Sequence, residues 1–278
     1  MKELFDKVSL SCSVKTTHSY STSFSLGIRF LEKQFRDPIY AVYGFVRFAD
    51  EIVDTFHDYN KKELFERFVE DTWLAIDNRI SLNPILNAFQ WAYHKYNIDK
   101  EHVVTFLKSM EMDLEETAYD REGFEEYILG SAEVVGLMCL RVFTNGDDAL
   151  YHKLFPYAKS LGSAFQKINF LRDLHADYLE LGRAYFPGLE VEQFDENTKR
   201  QIEAEIEEDF REAYKGIIQL PKNARLGVYV AYVYYYRLFK KIQSLPSNRV
   251  LEERIRVSNK RKMALFVTSY FRHSFNLL

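Results

Sequence analysis

Two pairs of aspartates, each pair spaced by four residues, constrain this chain more than any other feature. Asp50 and Asp54 form the first pair and Asp173 and Asp177 the second. On an α-helix a separation of four places both side chains on one face, one turn apart. Each pair has an arginine shortly upstream, Arg47 and Arg172. Gln166 and Asn169 add amides to the second stripe, set among Phe165, Ile168, Phe170, Leu171 and Leu174. A solvated helix has no use for amides and an arginine gathered so closely around an acidic pair. A divalent cation bridging carboxylates to phosphate does, because Mg²⁺ takes one or two protein carboxylates and fills its other positions with water and phosphate oxygens. Two such helices facing each other would hold a diphosphate from both sides, with metal ions and guanidinium groups as the grip. Asp50, Asp54, Asp173 and Asp177 are therefore the expected catalytic carboxylates and, with Asn169, the expected ligands of Mg²⁺, Mn²⁺ being the alternative ion. Arg47, Gln166 and Arg172 are expected on the substrate. Asp58 continues the first series by four, but His57 and Tyr59 beside it read as the helix end.

Such a site needs long helices, and the composition supplies them. Only 11 Gly and 6 Pro interrupt 278 residues, and apolar residues recur at three and four spacing throughout. This predicts an all-α chain of ten or more helices, read as a single domain over residues 1–278 because no composition shift or repeat marks a boundary. Aromatic content of 16% leaves material for an apolar pocket. A net charge of −4 gives no basic field for nucleic acid. Cys12 and Cys139 are too few for a disulfide framework and fit a reducing cytoplasm. The opening MKELFDKVSL lacks the apolar core of a signal peptide, and the apolar run 227–236 is half of the roughly 20 residues that span a bilayer. The expectation is a cytoplasmic protein, with peripheral membrane association where the substrate is a lipid.

Along the chain, residues 3–15 read as an amphipathic cover. The run Ser21-Thr22-Ser23-Phe24-Ser25 reads either as a helix cap or as hydroxyls at a helix N-terminus that hold phosphate. Asp37-Pro38 reads as N-cap and first residue of a helix to about Phe56, on which Tyr43, Arg47, Asp50 and Asp54 form one stripe. The bland alternative for Arg47 is an ion pair with Glu51. Helices follow over 61–79, from Asn83-Pro84, and from Asp99 to about Tyr119. In the last of these Glu111, Asp113, Glu115 and Glu116 read as a solvated face. The stretch 125–143 is the most apolar helix. Its Gly130, Ser131, Ala132 and Gly136 thin one face, for close packing or for a hydrocarbon chain. Residues 199–220, rich in Glu, read as an outer helix, and 222–244 as a helix with Tyr229, Tyr232 and Tyr236 in its core stripe. A last helix opens near Arg249 with Arg254, Lys260, Arg261 and Lys262.

These motifs resemble the squalene/phytoene synthase family, the head-to-head prenyl transferases. The resemblance rests on Ser21 to Phe24, on Tyr40-Ala41-Val42-Tyr43-Gly44-Phe45-Val46-Arg47 leading into Asp50 and Asp54, on Val135-Gly136, on Gln166 to Asp177, and on Arg183 to Pro187. It implies an isoprenoid-synthase-type helical bundle around a central apolar cavity. It also implies substrate contacts by Ser21, Ser23, Phe24, Tyr43, Tyr127, Tyr234 and Arg254. Thr22 stands where many relatives carry lysine, Leu129 where many carry tyrosine, and Glu133 where a small residue is usual. The implied reaction joins two geranylgeranyl diphosphates head to head, through a cyclopropylcarbinyl diphosphate, to phytoene. The alternatives are dehydrosqualene or squalene synthesis from farnesyl diphosphate, the latter needing NADPH, a head-to-tail prenyl transferase or terpene cyclase, and a non-catalytic helical lipid-binding protein.

Overall fold

In a computed structural model the described residues are 1–115, 119–176, 185–187, 194–252, 254–257, 265, 268–269 and 272. Among them the chain forms twelve α-helices and no strand: α1 Lys2–Tyr20, α2 Thr22–Arg29, α3 Lys33–Thr55, α4 Lys61–Asn78, α5 Pro84–Tyr96, α6 Lys100–Glu115, α7 Arg121–Ile128, α8 Val134–Thr144, α9 Asp148–Ala176, α10 Glu196–Ile217, α11 Lys222–Gln243 and α12 Ser247–Glu252. A π-helical turn, Leu129–Glu133, joins α7 to α8. The expected all-α bundle is what forms. Of the residues named from sequence, Glu116, Asp177, Arg183, Ala184, Lys260, Arg261 and Lys262 lie outside the described set.

Local chemistry explains several helix starts. Asn60, Asn83, Asp120 and Asp195 each accept a backbone N–H two or three residues on, satisfying donors the helix leaves free. The expected start at Asp37-Pro38 is wrong: α3 begins at Lys33 and carries Pro38 inside it. Proline has no N–H to give the carbonyl of Gln34 four residues back. The Tyr96 hydroxyl donates to that carbonyl instead, at 3.3 Å, so a partner from α5 stands in for the missing backbone donor and the helix continues.

One core cluster packs α3 against α4, α5, α6 and α8. At its centre Phe45 stacks on Phe89 with ring centroids 3.9 Å apart. A second packs α7 and α9 to α12, and a third, smaller one gathers Leu137, Leu140, Tyr151, Leu154 and Leu220. Helix α9 is flanked by antiparallel neighbours. Gly162 lies against the backbone of Ala132 and Gly136 against that of Ala158, while Lys167 and Ser163 of α9 bond Asp209 of α10, both at 2.8 Å. A Cβ on Gly162 would stand 2.6 Å from the Ala132 carbonyl oxygen, so only glycine permits this approach. The continuous helical stretch Arg121–Thr144 is long and apolar enough to cross a bilayer by length and composition. Half of its apolar window is buried inside the protein.

Two surface readings are corrected. Asp113 is not on a solvated face: it is 5% exposed and accepts from Tyr127 at 2.7 Å and Tyr119 at 3.5 Å. Nor is α10 wholly outer, since Lys199 and Glu203 pair at 2.5 Å while nearly buried and Asp209 faces α9. Asp113 and Asp209 meet partners from other helices, and Lys199 and Glu203 meet each other on α10, where periodicity had assigned the charge to water.

The Tyr96 contact gives a direct test. Tyr96→Phe leaves the Gln34 carbonyl without its donor. It should lower unfolding free energy by about 1 kcal/mol, read as a reduced denaturant midpoint at unchanged m.

Candidate active site

An apolar cavity of about 310 Å³ lies between α2, α3, α8, α9, α10, α11 and the π-turn. That is the low end of the range for ligand pockets, roughly 300–1,000 Å³, so its shape says more than its size. Helix α9 contributes Leu154, Tyr157, Ala158, Leu161, Gly162, Phe165, Gln166 and Asn169, one face of the helix. Fifteen residues separate the first from the last. At about 1.5 Å of rise each the lined strip is roughly 22 Å long.

The acidic turns stand together at one end of this tube. Tyr43 and Val46 of α3 line it, with Asp50 one turn beyond Val46; Gln166 and Asn169 of α9 line it, with Asp173 one turn beyond Asn169. Tyr235 of α11 links the two sides. Its ring stacks on Phe165 at 3.9 Å, its hydroxyl donates to Asn169 Oδ1 at 3.4 Å, and it meets the edge of Phe24, which in turn packs on Tyr43 at 5.5 Å. At the opposite end Leu140, Leu154 and Leu220, all buried, close the tube.

Charges at this mouth are tightly paired. Arg47 donates to Asp50 and to Glu51 and lies over the ring of Tyr20, 4.4 Å from its centroid. The expected alternative pair with Glu51 is therefore present alongside the Asp50 contact. Arg172 Nε donates to Asp173 Oδ1 at 3.0 Å, and Arg254 reaches the same carboxylate, Nε to Oδ1 at 2.7 Å. Burial, and next the charge of Asp54, push the Asp50 carboxyl up to about 7 against the opposing pull of Arg47. Asp50 still keeps 33% of its side chain accessible, an opening from which a cation can approach. Burial also holds the Tyr43 phenol at about 12 and the Cys139 thiol, further down the wall, at about 12, so the lining stays neutral.

This donor set fits a hard divalent cation. Asp50 and Asp54 repel each other on one turn, a cost that a cation between them removes. The buried Nε of Arg47 has no hydrogen-bond partner, a free donor suited to an oxyanion. Among the described residues no group of three metal-ligating side chains is assembled, and Asp177 lies outside them.

The remaining expected contacts divide. Ser21 caps α2, accepting from Phe24 N at 3.2 Å, and also bonds Tyr43; the cap reading describes it, at the mouth of the tube. Phe24 lines the cavity and Ser23 lies on the turn before it. Tyr127 does not line it. Its hydroxyl is committed to Asp113, inside an aromatic stack with Tyr119, Phe170 and Tyr185. Tyr234 also sits in the core, edge-on to Tyr235. Asp58 falls beyond the end of α3 at Thr55. Glu133 pairs with Lys159 at 2.9 Å, and burial raises its carboxyl.

Tyr235 and Tyr20 are the residues that sequence reasoning passed over. Gly227, Ala231 and Tyr235 recur at intervals of four on the cavity side of α11, a signal present in the sequence but masked by the five tyrosines between 229 and 236. Ser131 lines the tube as well. Its hydroxyl is buried without a partner, whereas Ser9, Thr17, Thr72 and Thr144 bond the carbonyl four residues back.

A helical bundle enclosing an apolar tube with acidic turns and arginines at one end suits a ligand with a hydrocarbon tail and an anionic head. Comparison makes the class definite: residues 17–261 match the squalene/phytoene synthase family, and the chain belongs to it. These are prenyl transferases that condense prenyl diphosphates head to head. The 4,4'-diapophytoene synthase of Staphylococcus haemolyticus (strain JCSC1435) is 28% identical over 192 residues, 66% of this chain and 64% of that protein. Phytoene synthase 1, chloroplastic, of Solanum lycopersicum is 25% identical over 295 residues, covering 97% of this chain and 68% of that one. The chain thus spans about two thirds of the length of these relatives. A crystal structure of a dehydrosqualene synthase in complex with ligand superposes with a TM-score of 0.82 at 20% identity, over 96% of both chains.

The raised Asp50 carboxyl sets a pH dependence. Its folded pKa, about 7, lies above the ordinary carboxylate value of 3.8, so the native state binds more protons than the unfolded state between those limits, and stability falls as pH rises through them. Metal-free wild type should therefore lose stability relative to Asp50→Asn between about pH 4 and pH 7, measured by denaturant titration across that range.

Proposed function

We propose that this chain joins two geranylgeranyl diphosphates head to head, through a cyclopropylcarbinyl diphosphate, to phytoene, the entry step to carotenoids. The observation that carries the chain-length reading is the roughly 22 Å strip along α9. An extended chain advances roughly 1.1–1.2 Å per bond, since three backbone bonds span about 3.3–3.6 Å. On that scale the sixteen main-chain carbons of a C20 prenyl group reach roughly 17 Å, and the twelve of a C15 group roughly 13 Å. The longer chain covers more of the strip, leaving roughly 5 Å of it bare against roughly 9 Å for the shorter, and wall left bare has no partner atoms. The runner-up joins two farnesyl diphosphates, a reading favoured by the name of the Staphylococcus haemolyticus relative.

In this reading Arg47, Arg172 and Arg254 exchange their carboxylate partners for phosphate oxygens, which a guanidinium fork matches in geometry. Asp50, Asp54, Asp173, Asp177 and Asn169 would hold Mg²⁺, which when bound neutralises charge on the departing diphosphate. Phe24, Tyr43, Phe165 and Tyr235 close round the first carbons of the chain and exclude water. Their ring faces are diffuse electron donors toward an allylic cation, and because Tyr43 and Cys139 stay protonated they offer that cation no anionic nucleophile. Loose attachment to a membrane would suit delivery of such substrates.

Purified protein should convert geranylgeranyl diphosphate with Mg²⁺ into a C40 hydrocarbon and lose that activity with a chelator. Failure to release diphosphate from either prenyl substrate would reject the reading in favour of a binding protein. Asp50→Ala and Asp173→Ala should each lower turnover by on the order of a hundredfold or more, the scale of single electrostatic contacts to developing charge, with unchanged helical circular dichroism. Normal turnover in either variant would remove that aspartate from the mechanism.

A further inference from the structure

Helices α2 and α11 run antiparallel along one side of the tube. Phe24 meets Tyr235 at the mouth, and the Glu32 N–H donates to the Asn223 carbonyl at 3.1 Å at the far end. Between these points Gly27, Leu31 and Gly227 all line the cavity. A Cβ built on Gly227 would stand 2.4 Å from Leu31 Cδ2, and Leu31, 4% exposed, is otherwise enclosed. The Leu31 side chain therefore occupies the space that a side chain at 227 would take, and the open direction left to it is the tube.

Depth locates this contact on the substrate. Gly227 is eight residues from Tyr235 and Leu31 seven from Phe24, which at about 1.5 Å per residue puts them roughly 10–12 Å below the mouth. A C15 chain of roughly 13 Å ends close to that level, whereas a C20 chain of roughly 17 Å must pass it. Beyond it the tube continues to Leu140, Leu154 and Leu220.

We infer that the Leu31–Gly227 contact is the chain-length gauge of this enzyme: glycine at 227 lets Leu31 lie back against α11 and leaves room for the fourth isoprene unit. The inference rests on the prenyl diphosphate reading given above. Gly227→Ala drives Leu31 into the tube, and Leu31→Phe enlarges the side chain at the same level with the α11 sequence unchanged.

The test is kcat/KM for diphosphate release from C15 and C20 prenyl diphosphates with Mg²⁺, in wild type, Gly227→Ala, Leu31→Phe and the double variant Leu31→Ala/Gly227→Ala, each checked for folding by thermal unfolding. Wild type should prefer C20. Either single variant should shift the C20-to-C15 ratio toward C15 by about tenfold or more, the discrimination one methylene group gives in an apolar pocket, and the double variant should restore the C20 preference because alanine at 31 no longer meets the new methyl. Folded single variants with an unmoved ratio would overturn the gauge while leaving the reaction standing. A wild type that releases diphosphate from neither substrate would overturn both.

Discussion

Carboxylates crowded at the mouth of an apolar tube are stable only when opposite charge is held against them, and the arginine pairs at this mouth supply it. Asp50 shares a turn with Asp54 and is raised by burial and by that neighbour; Arg47 is the group pulling it back. Asp173 has two guanidinium partners, Arg172 on its own helix and Arg254 from the segment after α12. Removing one partner of such a buried pair costs more than the pair contributes, because the other is left uncompensated. The architecture around the mouth follows from keeping these pairs together: α3 and α9 supply the acids, α2 and α11 fill the wall between them.

The same pairs prepare the site for an anion. Each guanidinium at the rim is already oriented by a carboxylate, and those of Arg47 and Arg172 are largely withdrawn from water while Arg254 is half exposed, so a diphosphate arriving with cations meets donors that need little further ordering. Below the rim the lining changes abruptly to Leu, Ile, Val, Phe and small residues. An amphiphile with an anionic head and a hydrocarbon tail is the ligand whose two halves match that boundary.

Much of this was legible along the chain because it depends on local rules. Spacing by four put Asp50 with Asp54 on one face, and the rarity of Gly and Pro called for long helices. Asn83-Pro84 marked the start of α5 correctly, since capping uses only neighbouring atoms. Pro38 misled for the complementary reason: whether a mid-helix proline is tolerated depends on who satisfies the orphaned carbonyl, and here that is Tyr96, 62 residues away from Gln34. Asp113 and Asp209 misled likewise. An acidic residue on a periodic helix reads as solvated until a tyrosine or lysine from another helix is brought against it.

The amino-acid sequence by itself determined the helices, the acid-bearing stripes and the arginines that travel with them, all set by side-chain spacing within a turn or two. Only tertiary structure decided which tyrosine of α11 enters the site, that the Tyr127 hydroxyl is spent on Asp113, and how deep the tube runs before Leu140, Leu154 and Leu220 close it. Those outcomes depend on how closely helix backbones approach and in what register, as where Gly162 meets Ala132 and Gly227 meets Leu31. Contacts between residues far apart in the chain leave no periodic trace along it.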